Sequence, residues 1–284
     1  MAAMHPLRKR MIEDMQLAGL RPNTQESYAG AVSLLSRYHG CSPERLGEEE
    51  VRAFFLHEIN ERKLAPNTVR THLYGVRFFY ERTLGRELPI LDLLRPAKRR
   101  KLPLALAHDE VKRALAAVRE AQFRTALATI YSCGLRLGEV CTLEVEHVES
   151  ALGRLRVSDG KGGVDRVVAL PARTLELLRE HYRRTWPLPP WGFVNKAGTD
   201  HLVRATLPRV FKAAIRESGV NPAASVHTLR HSYATNLLVA GAPVVVVQKW
   251  LGHRSLRTTA VYAHLVDPPP PDCVALVNDL MDDL

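Results

Sequence analysis

With 284 residues, 46% of them hydrophobic, the chain is long enough for two domains or one large one, and wholesale disorder is not expected. Forty Lys and Arg against 30 Asp and Glu leave a formal charge of +10, which favours polyanionic partners because neutralised phosphates release condensed counterions. Cys41, Cys133, Cys141 and Cys273 form no C-x-x-C pair, no run approaches the roughly 18 apolar residues of a membrane span, and no apolar stretch follows the basic residues of MAAMHPLRKRM. A disulfide framework, a zinc site, a membrane span and a signal peptide are therefore not expected, and a reducing, cytoplasmic location is. The first hundred residues read as a small helical bundle. Asn23 and Glu26 have capping-box spacing at the start of a helix that runs to about His39, where Gly40 stops it. Val51, Phe54, Phe55 and Ile59 suggest a second amphipathic helix, and Pro66-Asn67-Thr68 starts a third carrying Val69, Leu73, Val76 and Tyr80 on one stripe.

Residues 95–104 break this pattern. Two prolines bracket Lys98, Arg99, Arg100 and Lys101, so the segment reads as a basic linker suited to phosphate contact. Helical patterns follow at about 109–119 and 121–133. Two β-rich runs, 154–158 and 166–170, flank Asp159-Gly160-Lys161-Gly162-Gly163, a hairpin-turn signal. Helices resume at about 172–184, 203–217, 227–240, 243–250 and 256–263. Pro268 to Pro271 then precede an acidic, apolar tail that is too short to fold alone.

Four pieces of the second region carry candidate chemistry: Cys133-Gly134-Leu135-Arg136-Leu137-Gly138-Glu139, Lys161 at the hairpin tip, His227-Thr228-Leu229-Arg230-His231, and Leu251-Gly252-His253 followed by Tyr262. Singly, each has an ordinary structural explanation: an Arg136–Glu139 pair, a charged turn, a core tyrosine. His227 and His231 have the spacing of a metal pair but lack the intervening Glu of a zincin and an evident third ligand, so no metal is expected. The Gly-Lys-Gly-Gly turn lacks P-loop spacing.

Together, in order and spacing, these boxes resemble those of the tyrosine recombinase (phage integrase) family, the lambda-integrase-like site-specific recombinases, over roughly residues 105–265. The resemblance implies that Arg136 is the first catalytic arginine, supported by Glu139. It implies that Lys161 protonates the leaving oxygen, that His227 and Arg230 form the His-x-x-Arg pair, that His253 is the second histidine, and that Tyr262 is the nucleophile. Val164 departs from the pattern, standing where relatives often carry a basic residue, so one DNA contact is not implied. No long insertion of the integron-integrase sort is present. The implied fold is mainly α with a small antiparallel β-sheet. A helical core-binding domain (1–94) and a linker (95–104) precede a mixed α/β catalytic domain (105–267) and a tail (268–284).

The chemistry agrees with those roles. Attack on a phosphodiester builds charge on the non-bridging oxygens, which two guanidiniums can bind with paired hydrogen bonds. His227 and Arg230 share a helix face at i, i+3 spacing. Tyrosine, with a reference pKa of about 10, needs help in losing its proton, and His227 in the arginine field is the expected source. The implied product is a 3′-phosphotyrosine link that a second DNA end can religate without a cofactor. Double-stranded DNA with an inverted-repeat site, a homotetramer on that DNA, a nucleoid-associated location and a docking role for the tail complete the expectation. The rival readings are type IB topoisomerase-like relaxation and a non-catalytic DNA-binding accessory factor.

Overall fold

In the computed structural model, described for residues 6–94, 103–158, 165–186, 190–253, 255, 258, 259 and 262, the chain divides into two compact units, Met1–Lys101 and Leu102–Leu284. The basic run 98–101, the hairpin tip with Lys161, and the tail lie outside the described residues.

The first unit holds α1 (Pro6–Leu17), α2 (Pro22–His39), α3 (Glu48–Leu56), α4 (Pro66–Phe78) and the short α5 (Ile90–Leu93). Its core gathers Met11, Met15, Leu35, Phe54, Phe55, Leu73, Val76, Phe79 and Tyr80, so the stripe of α4 faces inward as its spacing predicts. Two expectations need correction. The Asn23–Glu26 capping box is not formed. The helix starts two residues earlier, at Pro22, behind an extended N-cap Arg21, because proline's fixed φ and missing N–H suit a first helical position. Ile59 is 43% exposed. Glu58, one turn after Phe54, takes the inward position instead, fully buried and bonded through its carboxylate to His72 at 2.7 Å.

The second unit opens with α6 (His108–Ala116), α7 (Ala121–Cys133) and α8 (Leu137–Cys141). A three-stranded antiparallel sheet follows, in the order β1 (Val148–Glu149), β2 (Arg154–Val157), β3 (Arg166–Ala169). The β2–β3 pair is legible from its two β-rich runs and the turn signal between them. The two-residue β1, too short for any periodicity, is not. Then come α9 (Ala172–Thr185), α10 (Thr206–Ser218), α11 (Val226–Val239) and α12 (Val244–Leu251). Of the helix expected at 256–263, Thr258, Thr259 and Tyr262 are helical and the others lie outside the described residues. Leu127, Ile130, Leu155, Val168, Phe193, Phe211 and Leu229 join sheet and helices in one core, which also contains Cys133 and Cys141. Both are free thiols; burial pushes each up to about 11, consistent with a packing role. Among the described residues, no helix is long and apolar enough to cross a membrane.

Candidate active site

The site is built on two helix ends. α7 stops at Gly134, whose φ of +61° closes the helix in the left-handed region. A side chain there would also strike the Tyr233 ring, which lies 2.6 Å from where a Cβ would stand. The chain then turns so that Arg136 caps α8, and Glu139 reaches back to accept from the Arg136 backbone N–H and from its Nη1, both at 2.7 Å. α12 ends likewise at Gly252, φ +63°, where a Cβ would stand 2.8 Å from the Arg166 side chain.

Three arginines converge on these ends. Arg166, at the start of β3, donates Nη1 and Nη2 to the two oxygens of Glu139 at 2.7 Å each, and Nε to the Trp250 carbonyl at 2.7 Å. Arg230, in the first turns of α11, donates to the Gly134 carbonyl at 2.5 Å and to the Leu251 carbonyl. Arg136 donates to the Gly252 carbonyl at 3.4 Å. Three successive carbonyls at the end of α12 thus each accept from a different guanidinium. Like charges packed this closely repel. What holds them is one carboxylate together with the negative ends of two helices, whose last carbonyls lack intrahelical partners. Burial alone would push Glu139 up, but hydrogen bonding and charge from Arg166, with the bonds from Arg136, hold its carboxyl down at about 2. Burial and then the neighbouring Arg136 draw Arg230 down to about 10, which leaves it charged at neutral pH. The Arg166, Arg230 and Glu139 side chains are below 10% exposed, while that of Arg136 is 39% exposed. Arg136 is the cation of this group best able to meet a solute.

Against this cluster lie the remaining groups. His227 is exposed on the first turn of α11. His253 is bonded through Nδ1 to the Thr259 hydroxyl at 2.8 Å. Its own burial, then Arg230, Arg136, Arg166 and His231, bring it down to about 4. Tyr262 is 4% exposed and packs among Tyr233, Ala234, Leu238, Val247 and Leu251. Burial raises its phenol, partly offset by the Arg230 charge. Its hydroxyl lies 2.5 Å from His231 Nδ1. The histidine bonded to this hydroxyl is therefore His231, one turn beyond the His227 that the sequence favours, because the inner side of α11 at this level carries residue 231. Arg136, Glu139, Arg230, His253 and Tyr262 are brought together, with His227 at the rim.

Two residues of the site lie outside the sequence expectation. Arg166 enters it only as the start of a strand, although alternation places it on the same inward side as buried Val168. A charge at an inward strand position is the signal that could have found it. His231 enters only as half of a metal pair. Among the described residues the one cluster with metal-ligand spacing is Glu144, Glu146 and His147, whose ligand atoms lie within 4.8 Å of one another. It does not involve His227 or His231.

The chain resembles known proteins over most of its length. Residues 105–267 match the family described as the phage integrase family, and residues 7–90 match the phage integrase N-terminal SAM-like domain. The y4qK protein of Sinorhizobium fredii is 39% identical over 92% of this chain and 85% of its own length. Tyrosine recombinase XerD of Pseudomonas aeruginosa is 30% identical over 92% of this chain and 93% of its own. Among solved structures, a lambda integrase dimer bound to a COC′ core site superposes with a TM-score of 0.74 at 19% identity, covering 91% of this chain and 94% of that one. XerH bound to a palindromic difH substrate superposes with a TM-score of 0.68 at 24% identity, covering 86% and 76%. At such identities the structures support the fold alone.

Proposed function

Because this chain belongs to the phage integrase family of tyrosine recombinases, enzymes of site-specific DNA recombination, we propose that its strand cleavage runs through Tyr262. The observation that carries the reading is the convergence of Arg136 and Arg230 on the α12 terminus beside the buried Tyr262 hydroxyl. The phenol oxygen attacks the scissile phosphorus, forming a 3′-phosphotyrosine link and releasing a 5′-hydroxyl. Arg136 and Arg230 bind the non-bridging oxygens as charge develops, from a frame already fixed by Glu139 and Arg166, so little reorganisation is needed. His227, exposed at the positive end of α11, and His253, held neutral near pH 7, offer further hydrogen bonds to the phosphate. Lys161 delivers the proton to the leaving oxygen. The phosphotyrosine keeps the bond energy, and the 5′-hydroxyl of a second strand reverses the attack on it without nucleotide or metal.

The helical N-terminal unit (1–94) and the basic linker (Lys98, Arg99, Arg100, Lys101) supply phosphate contacts along a duplex bearing an inverted-repeat site. The catalytic domain (105–267) does the chemistry, and the tail beyond Pro271 docks between neighbours. Exchange between two duplexes requires four active sites, hence a homotetramer on DNA. A lambda integrase tetramer bound to a Holliday junction, with a TM-score of 0.72 to this chain, is the supporting parallel. Action on DNA also accords with a nucleoid-associated location. The topoisomerase and accessory-factor readings gain nothing from relatives that are named integrases and recombinases. The test is a denaturant-resistant protein–DNA adduct that forms with the intact chain and is lost in Tyr262→Phe.

A further inference from the structure

We propose that His231, rather than His227, is the proton acceptor for the Tyr262 hydroxyl, an inference that rests on the recombinase reading above. Tyr262 is 4% exposed, and a buried hydroxyl requires a hydrogen-bond partner. The partner in this site is His231 Nδ1 at 2.5 Å, with the two rings 5.6 Å apart at 44°. With the imidazole proton on Nε2, Nδ1 presents its lone pair to the hydroxyl, and the O–H donates to it. This arrangement needs no movement before proton transfer, which is the geometric condition for a general base.

The surroundings keep the acceptor unprotonated, and the arginine field offsets part of the cost of burying the phenol. His231 is half-buried, and burial, His227 and Arg230 lower its basicity, so it is neutral and able to accept at physiological pH. Arg230 also acts on the tyrosine, where its charge favours the phenolate. One stretch of α11 then divides the work. His227 at the exposed first turn is free to face a phosphate, Arg230 supplies fixed charge, and His231, with its ring 6.5 Å from that of His227, takes the proton. As the tyrosine oxygen bonds to phosphorus, its proton passes to His231 Nδ1 and forms an imidazolium. The bond to the 5′-oxygen breaks, and that oxygen takes a proton from Lys161. In religation the incoming 5′-hydroxyl returns its proton to Lys161, and the phenol leaving phosphorus recovers one from His231. Protons and charge balance over the cycle, and His231 ends as it began.

A packing histidine would show the same hydrogen bond, so the test must separate holding the ring from accepting its proton. The full-length protein is used on a nicked suicide substrate in which the first cleavage cannot be reversed. His231→Ala and His231→Gln are compared with the parent for melting temperature, DNA binding and the single-turnover rate of adduct formation. The same rates are then measured with a fluorinated, more acidic tyrosine incorporated at position 262. The inference expects both variants to bind DNA normally and to cleave roughly 100-fold or more slowly, in the range of lost general-base catalysis. The fluorinated tyrosine should recover most of that loss in the variants while changing the parent rate little. Parent-like cleavage by His231→Gln overturns the inference, because glutamine can hold the hydroxyl without acting as a base. So does a loss that fluorination leaves untouched. Should His231→Ala unfold, the glutamine variant alone decides. Adducts that persist in Tyr262→Phe strike at the recombinase reading itself, whereas Tyr262-dependent adducts formed at full rate by the His231 variants remove only this inference.

Discussion

Arg166 and Glu139 are bound side by side, both guanidinium Nη atoms to both carboxylate oxygens at 2.7 Å, with neither side chain more than 9% exposed. Glu139 is the counter-charge that Arg136, Arg166 and Arg230 share. Removing one member of a buried pair costs more than the pair itself contributes. Glu139→Ala should therefore cost about 3–5 kcal/mol, and Arg166→Ala less, because Arg136 stays with the carboxylate. Adding Arg166→Ala to Glu139→Ala should recover part of the loss by removing a stranded cation. Urea denaturation of the three variants measures this, and strictly additive losses would contradict it.

Acid should destabilise the fold in two stages. His253 is neutral in the folded chain down to about pH 4, whereas a free imidazole takes a proton near pH 6.5. Protons therefore favour the unfolded chain, and this contribution is complete above about pH 6.5 and is lost as pH falls toward 4. Glu139 acts in the same direction lower down. Its folded value of about 2 against an ordinary value near 4 gives stability that is present above about pH 4 and lost as pH falls through 2. His253→Gln should shrink the first stage, to which His231 contributes in the same direction, and leave the second; thermal unfolding at stepped pH reads both.

Gly134 joins a left-handed turn to a close approach, with φ +61° and a notional Cβ 2.6 Å from the Tyr233 ring. Gly134→Ala should cost at least about 2 kcal/mol from backbone strain and overpacking together. It should also slow cleavage, because the Gly134 carbonyl holds Arg230. A variant that melts and cleaves like the parent would show that neither feature matters.

The linker makes a separate prediction. Replacing Lys98, Arg99, Arg100 and Lys101 by glutamine should weaken DNA binding at low salt. It should also shrink the salt dependence, by about 0.9 in the log–log slope for each phosphate that is no longer neutralised. Affinity measured from low to moderate salt decides, and an unchanged slope would remove the linker from the DNA-binding surface.

Much of this is legible in the sequence wherever local rules decide. The α4 stripe, the α7 stop at Gly134, the two β-rich runs around their turn signal and the motif boxes each depend on neighbours within a few residues. What escapes depends on distant partners or on competition between local signals. Arg166 is explained by Glu139 and by the end of α12, far along the chain, and nothing in a four-residue strand announces them. The spacing of His231 from His227 suggests a metal pair, and only the packing of Tyr262 against α11 reveals what His231 touches. The Asn23 cap loses to Pro22 beside it, and Ile59 loses its inward position to Glu58, whose charge is tolerable only because His72 meets it.

The account turns on Tyr262 as nucleophile, and the most direct measurement is to express the protein in a bacterial host, trap denaturant-resistant protein–DNA adducts and sequence the attached DNA, with Tyr262→Phe alongside. The account predicts adducts that cluster at an inverted repeat and vanish in the variant. Adducts that persist in Tyr262→Phe would contradict it.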